Sequence, residues 1–332
     1  MPSPALSGPY FDELAVGQEF GGEAGLTLTA GLAAAHQAIT GDRLALALDQ
    51  PLCREVTGGE PVAQPGLVWD IAIGQSTLVT QRVKANVFYR GLVFSRAPVL
   101  GDTLRTRTRV TALRQNSARE GRAPTGLAVL RITTTDQEDR PVLDFSRCAM
   151  LPLRDGSAQT GHSDDVDRAS QPAAPPDWAA AVRGWRLPAF TARFPAGPRP
   201  ADLRRGQLFE IAAGDVVSSA PELARLTLNI AAVHHDYVAA GGSRLVYGGH
   251  VIGLALSQAA RALPSMVTVA GWHGCDHLAP VREGDTLRST VTVEEVEYLP
   301  NGGGLVHLRS QARADGPAPR DVLDWRFVAV LA

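Results

Sequence analysis

The chain states one pattern twice, and that duplication constrains its fold more than any other feature. An acidic-Leu-x-x-Gly-Gln-x-Phe opening occurs at residues 13–20, with Gly17, Gln18 and Phe20, and again at residues 202–209, with Gly206, Gln207 and Phe209. A polar motif follows at residues 38–43 and 225–230, leading to Asp49 in one copy and Asp236 in the other. A Gly-led apolar stretch starts at Gly66 and at Gly249. Ala97-Pro98-Val99 precedes Gly101-Asp102-Thr103-Leu104-Arg105, and Ala279-Pro280-Val281 precedes Gly284-Asp285-Thr286-Leu287-Arg288. Each copy closes on Val-Leu-Asp-aromatic, from Val142 and from Val322. Landmarks that recur in one order at a spacing of roughly 180–190 residues describe a duplicated domain, not a solenoid of short repeats.

At 332 residues, with 45% apolar and 20% charged side chains, the chain is long enough for two domains that each bury a core. The repeat divides it into residues 1–154, a Pro-rich linker at 155–200, and residues 201–332. A net charge of −2 gives no general attraction to nucleic acid or to an anionic membrane, so an acidic ligand must meet local basic residues. Cys53, Cys148 and Cys275 are widely separated, odd in number and without metal-ligand spacing, which points to a reducing compartment and three buried thiols. Residues 1–10 carry no basic segment followed by an apolar core, and no apolar run approaches the roughly 20 residues of a membrane helix. These features predict a soluble, cytoplasmic protein.

Within each copy the pattern is helix first, strands last. Residues 30–40 and 221–233 are Ala- and Leu-rich, the second preceded by Ser218-Ser219-Ala220 as a cap region. Residues 66–79 and 249–263 are apolar nearly all round, which predicts helices buried on most sides. Three strand-like runs follow each, at 103–112, 126–135 and 142–151, then at 286–296, 304–314 and 321–331, separated by short polar turns. The expectation is an α+β fold in which each copy wraps an antiparallel meander around one long helix. In the linker, Pro172, Pro175, Pro176, Pro188, Pro195, Pro198 and Pro200 exclude regular helix, except that residues 177–185 can form a short one. Its Trp178 and Trp185 either dock it on a domain or merely tack the linker down.

The second copy's motif, Leu226-Thr227-Leu228-Asn229-Ile230-Ala231-Ala232-Val233-His234-His235-Asp236, resembles without a gap the Leu-Thr-Gly-Asp-x-Asn-Pro-x-His-x-Asp motif of MaoC-like dehydratases and R-specific enoyl-CoA hydratases. The resemblance places His234 on that family's catalytic His, Asp236 on the final Asp and Asn229 on the catalytic Asp. The first copy keeps that Asp as Asp42 but has Ala47 where the His belongs. With the Gly-Gln-x-Phe openings and the Gly-Asp-Thr-Leu strands, the resemblance spans nearly the whole chain. It implies a double hot-dog fold in which the C-terminal copy bears the hydratase motif and the N-terminal copy is non-catalytic. The order of motifs, with residues 244–250 after the second, is most similar to the mesaconyl-CoA hydratase and β-methylmalyl-CoA dehydratase branch.

Adding water to an enoyl thioester requires a group that takes a proton from water, a group that returns one to the α-carbon, and donors for the thioester oxygen. His234 can move protons near neutrality, whereas the Asn229 amide can only hold and orient a water. General acid–base help is worth about 10²–10⁴ in rate, so the missing carboxylate matters. His235, His250 and Asp42 are candidates to replace it, and Asp236 can orient an imidazole; the bland alternatives are a structural His250 and an Asp42 that only turns the chain. Gly248 and Gly249, at the start of the second buried helix, offer unpaired N–H groups to an oxyanion, as the resemblance also implies, or else simply make the turn. His234-His235-Asp236 lacks the i, i+4 spacing of a helical metal site, so no metal is expected. Arg82, Lys84, Arg90 and Arg96 either meet coenzyme A phosphates or form a solvated face.

The function expected is that of an acyl-CoA hydratase or dehydratase acting on a short or branched, mesaconyl-CoA-like enoyl-CoA, with coenzyme A entering as part of the substrate and no cofactor. The alternatives are a non-catalytic acyl-CoA or acyl-carrier binding protein and a hot-dog thioesterase in which Asp42 or Asp236 activates water. No nucleic-acid or membrane partner is expected. Because fusion already supplies a pair of hot-dogs, the chain is a monomer or forms a homodimer.

Overall fold

The computed structural model describes residues 8–22, 24–118, 120–172 and 174–332; the first seven residues, part of the stretch read for a targeting segment, lie outside them. The first half runs β1 (Glu19–Phe20), β2 (Leu26–Thr27), α1 (Ala30–Thr40), α2 (Ala45–Leu48), α3 (Gln50–Thr57), α4 (Pro65–Gln75), β3 (Ala85–Phe94), β4 (Thr103–Gln115), β5 (Thr125–Thr135) and β6 (Pro141–Pro152). The connecting segment holds α5 (Val166–Ala169) and α6 (Leu187–Arg193). The second half repeats the order with β7 (Leu208–Glu210), β8 (Asp215–Val216), α7 (Ala220–Leu226), α8 (Gly248–Ala262), β9 (Met266–His277), β10 (Thr286–Tyr298), β11 (Gly304–Asp315) and β12 (Arg320–Leu331). No helix among the described residues is long and apolar enough to cross a membrane.

Local sequence explains the helices that carry the architecture. α1 starts where Thr29 Oγ1 accepts the Leu32 N–H at 3.1 Å and stops at Gly41, whose φ of 67° suits glycine. Every residue of α4 is buried, and so is α8 from Gly249 to Ala260. A helix without a polar face must be enclosed. The enclosure is one antiparallel sheet in the order β1-β4-β5-β6-β3-β9-β12-β11-β10-β7. This is the α+β double hot-dog architecture, with α4 and α8 as its two central helices.

The two half-sheets join where β3 pairs with β9, from Phe88 opposite Asp276 to Val93 opposite Gly271. These are the two long strands among those that the sequence reading omitted. Each is interrupted by glycine, at Gly91 and at Gly271 and Gly274, which masks the strand pattern. Gly271 is required by close approach, because a Cβ there would collide with the Leu92 carbonyl and the Trp178 ring. Behind this seam Trp69 of α4 meets Trp272 of β9 edge-on at 4.8 Å, and Trp272 meets Trp325 of β12 at 5.7 Å. All three indoles are fully buried. Burying each stabilises the fold by roughly 4–6 kcal/mol before entropy is counted. The core is therefore shared between the copies.

Two local expectations need correction. The helix expected over residues 221–233 ends at Leu226, because Leu228 takes a φ of 60° and the chain turns to meet the other copy. Ile230 N–H then donates to Thr77 Oγ1 at 3.0 Å and Ala232 N–H to the Gln81 carbonyl at 2.9 Å. Ser219 also makes no side-chain cap; Glu283 Oε1 accepts the Ala220 N–H at 2.8 Å instead. The linker in turn holds a helix that its prolines were read to forbid, α6, in which Pro188 occupies the first turn where its missing N–H costs nothing. Trp185 beside it is buried with Leu187 and Phe190.

Thr227 packs so closely on α4 that a Cβ at Gly74 would collide with its carbonyl oxygen. Gly74→Ala is therefore expected to destabilise the protein by about 1–3 kcal/mol in urea unfolding, as an overpacked core does. Gly59→Ala, where a Cβ meets nothing within 4 Å, is expected to leave the midpoint unchanged.

Candidate active site

The bonds from residues 230 and 232 to Thr77 and Gln81, in the segment that follows α4, fix the second copy's motif at the seam between the two halves. There Asn229 and His234 line a cavity of about 520 Å³. The second copy adds Tyr247 and Gly248 at the start of α8 and His277 at the end of β9. The first copy contributes Lys84, Asn86, Tyr89 and Arg147. The site is thus composite, because β3 and β6 wall a cavity whose motif belongs to the other copy.

His234 closes a 3-10 turn, Ala232–His234, and is 9% exposed. Its Nδ1 lies 2.8 Å from the Leu245 carbonyl, which can only accept, so Nδ1 carries the proton and Nε2 the lone pair. Burial pushes the pKa down to about 4, opposed by the bond to Leu245 and reinforced by the nearby His235 and Arg147. At neutral pH the ring is an uncharged base. Asn229 is buried, and its Oδ1 accepts the Ala231 N–H at 3.0 Å. The amide therefore has N–H donors left for a cavity water.

Gly248 and Gly249 are the first two residues of α8, so their N–H groups have no acceptor within the helix. Gly248 lines the cavity, and a Cβ on it would come within 2.6 Å of His277 Nε2. Gly249 faces the other helix instead, where a Cβ would collide with Asp70 Oδ1. Asp70 is fully buried, accepts from Tyr247 Oη at 3.1 Å and pairs with His36 Nε2 at 2.9 Å. Burial raises its pKa, with the His36 contact opposing that rise.

Asp236, His235, His250 and Asp42 do not line the cavity. Asp236 is exposed and accepts from the N–H groups of Val238 and Ala239 at 2.7 and 3.1 Å, which makes it a turn cap. His235 Nε2 is held 2.6 Å from the Asn229 carbonyl, so it braces the motif loop. His250 is fully buried within α8, and neither ring nitrogen has a hydrogen-bond partner among the described residues. Asp42 accepts the Leu44 N–H at 3.0 Å within its own copy's loop, and burial raises its pKa. Of the four basic residues singled out, Lys84 lines the cavity, while Arg90 pairs with Asp276 and Arg96 with Asp102 and Asp136. Arg82 lies over the Tyr10 ring.

Sequence reasoning missed Arg147, Tyr247 and His277. Arg147 is 3% exposed; its Nε donates to Asn86 Oδ1 at 2.7 Å and its Nη1 to Ser76 Oγ at 3.0 Å. Among the described residues no carboxylate pairs with it. A signal did exist, since the closing strands align at Val-Leu-Asp and place Phe327 opposite Arg147. A cation in one copy where the other has a core aromatic marks a difference of use.

Fold and cavity together define a double hot-dog protein with a hydratase-type motif in its second copy. A conserved hypothetical protein of Mycobacterium tuberculosis, described as having a double hotdog fold, is 53% identical and superposes with a TM-score of 0.91 over 98% of this chain and 99% of that one. The β-methylmalyl-CoA dehydratase of Chloroflexus aurantiacus is 26% identical over 93% of this chain and 89% of its own length. The mesaconyl-CoA hydratase of Cereibacter sphaeroides is 25% identical over 94% and 91%. No family model matches the chain. The chain belongs to the double hot-dog family of that Mycobacterium tuberculosis protein, and it is similar over nearly its whole length to a dehydratase and a hydratase named for acyl-CoA substrates.

Histidine-ring NMR tests the protonation state at the site. His234 is expected to hold its proton on Nδ1 and to remain neutral as the pH falls, titrating only near 4. The sign follows from burial, which penalises the charged ring. Titration near 6.5, the ordinary histidine value, would show that the ring is solvated.

Proposed function

We propose that this protein is an acyl-CoA hydratase/dehydratase that adds water to, or removes it from, a short enoyl-CoA whose acyl group carries a carboxylate. The observation that carries the reading is His234, an uncharged imidazole with Nε2 free, in a cavity headed by the N-terminus of α8. A water held by the Asn229 amide gives its proton to His234 Nε2 while its oxygen bonds to the β-carbon. The electron pair of the double bond moves onto the thioester, where the Gly248 N–H and the positive end of α8 stabilise the oxyanion. The imidazolium then returns the proton to the α-carbon. One residue thus takes and gives the proton, and the reverse sequence is dehydration.

The acyl group is read from Arg147. A buried guanidinium without a carboxylate partner is costly, and its place in the cavity lining suits an anionic group on the substrate. That inference agrees with relatives named for mesaconyl-CoA and β-methylmalyl-CoA. At the rim, Lys84 and Arg282 offer cations to the phosphates of coenzyme A. A thioesterase would need a carboxylate at the cavity, and neither Asp42 nor Asp236 lines it. The reading includes a cytoplasmic setting, supported by three cysteines that are buried and free. One chain suffices for the site, because both hot-dogs are on it.

His234→Ala is expected to lower kcat for hydration by about 10²–10⁴, read by loss of enoyl absorbance. Saturable binding of enoyl-CoA with no turnover by the unaltered protein would make it a binding module instead. For the unaltered enzyme, kcat/KM should stay level from alkaline to mildly acid pH and fall only as His234 protonates toward about 4. Arg147→Gln should raise KM for mesaconyl-CoA roughly 10–100-fold while leaving the uncharged crotonyl-CoA little changed. Equal loss on both thioesters would assign Arg147 to the fold alone.

A further inference from the structure

A second cluster of titratable groups lies on the outer side of the C-terminal half, in a cleft of about 820 Å³ that shares no lining residue with the catalytic cavity. In it a ring nitrogen of His307 and carboxylate oxygens of Glu295 and Glu297 come within 4.8 Å of one another. Backbone irregularities create this arrangement. A bulge between Val293 and Glu295 in β10 sets Glu295 directly opposite His307 of β11 and leaves Glu297 two residues along on the same face. A second bulge, in the pairing of β12 with β9, falls where His273 stands, and His273 Nε2 lies 2.7 Å from His307 Nδ1. Trp178 of the linker packs edge-on against His273 at 5.0 Å. His307 is 6% exposed, so an imidazole has been buried beside two carboxylates at the sheet surface.

We propose that His307, Glu295 and Glu297 form a binding site for a divalent transition-metal cation, with His273 as the residue that orients the imidazole ligand. One nitrogen and two carboxylate oxygens suit Zn2+, with water completing a tetrahedral set. His307 Nε2 lies 3.0 Å from Glu297 Oε1, a spacing that a proton on Nε2 bridges in the free protein. The cation replaces that proton. His307, still neutral, then carries its one proton on Nδ1 and donates it to His273 Nε2, while His273 shifts its own proton to Nδ1, so each ring keeps one proton and the metal-bound imidazole is fixed. Two positive charges offset the paired glutamates, and the cation ties the bulged segment of β10 to β11 beneath the linker tryptophan. The role is structural, since none of these residues lines the cavity that holds His234.

The test is titration calorimetry of the chelator-treated full-length protein with Zn2+, with Mg2+ as a comparison ion that prefers oxygen ligands. One Zn2+ per chain is expected, with no comparable uptake of Mg2+. Glu295 and Glu297 are exposed, so Glu295→Gln and Glu297→Gln keep the fold while each weakens Zn2+ binding at least tenfold. His273→Gln should weaken it roughly 10–100-fold. In ring NMR, Zn2+ should move the His307 proton from Nε2 to Nδ1, and hydration by the enzyme should be unchanged. Zn2+ binding that is absent, or that is unaltered in both glutamine variants, overturns the proposal.

Discussion

Everything about this molecule depends on the pairing of β3 with β9. Each copy alone would end in a strand with an unpaired edge and a central helix with one uncovered flank. Joining the two makes one sheet and lets Trp69 of the first copy bury against Trp272 and Trp325 of the second. The same seam supplies the cavity. Tyr89 stands on one of the paired strands and His277 at the end of the other, and the rings meet edge-on at 5.9 Å. A pocket at such a junction needs no separate scaffold, because its walls are held by the interaction that holds the fold.

The features legible in the sequence were those with a local physical cause. All-round apolar composition marked α4 and α8, and alternation with polar turns marked β4, β5, β6, β10, β11 and β12. The strands that join the copies were not legible, because Gly91, Gly271 and Gly274 serve a close tertiary approach and weaken the very pattern that announces a strand. The break in α7 has the same origin: Leu228 accepts a left-handed conformation so that residues 230 and 232 can bond to the other copy. At the site, His234 and Asn229 were readable from register with a motif. Arg147 showed in the sequence only as a cation aligned with Phe327, and its place at the cavity appears only when the first copy's β6 is set against the second copy's loop.

The copies have diverged toward opposite uses of equivalent positions. Where the second copy has His234, the first has Ala47, and where the first has Arg147, the second has Phe327 stacked on Trp325 at 3.9 Å. Next to Ala47, Leu46 joins Leu52, Cys53 and Val56 in a cluster with Leu187 and Phe190 of α6 and Val267 of β9. The linker helix and α3 thereby fill the region with apolar side chains. Asp42, left in the first copy, no longer needs a proton to exchange and serves its own loop.

That divergence gives Asn229 a physical rationale. An ionised carboxylate at this position would favour the imidazolium form of His234 and raise its pKa. An amide leaves the ring where burial, with His235 and Arg147 nearby, places it, near 4. A histidine so tuned is a weaker base toward water, and its imidazolium is a correspondingly strong acid toward the α-carbon. On the proposed reading this favours the protonation half of the reaction, in which His234 is the one proton carrier. Arg147 bonds to the neutral Asn86 and Ser76, so on the proposed reading its charge is left for the substrate.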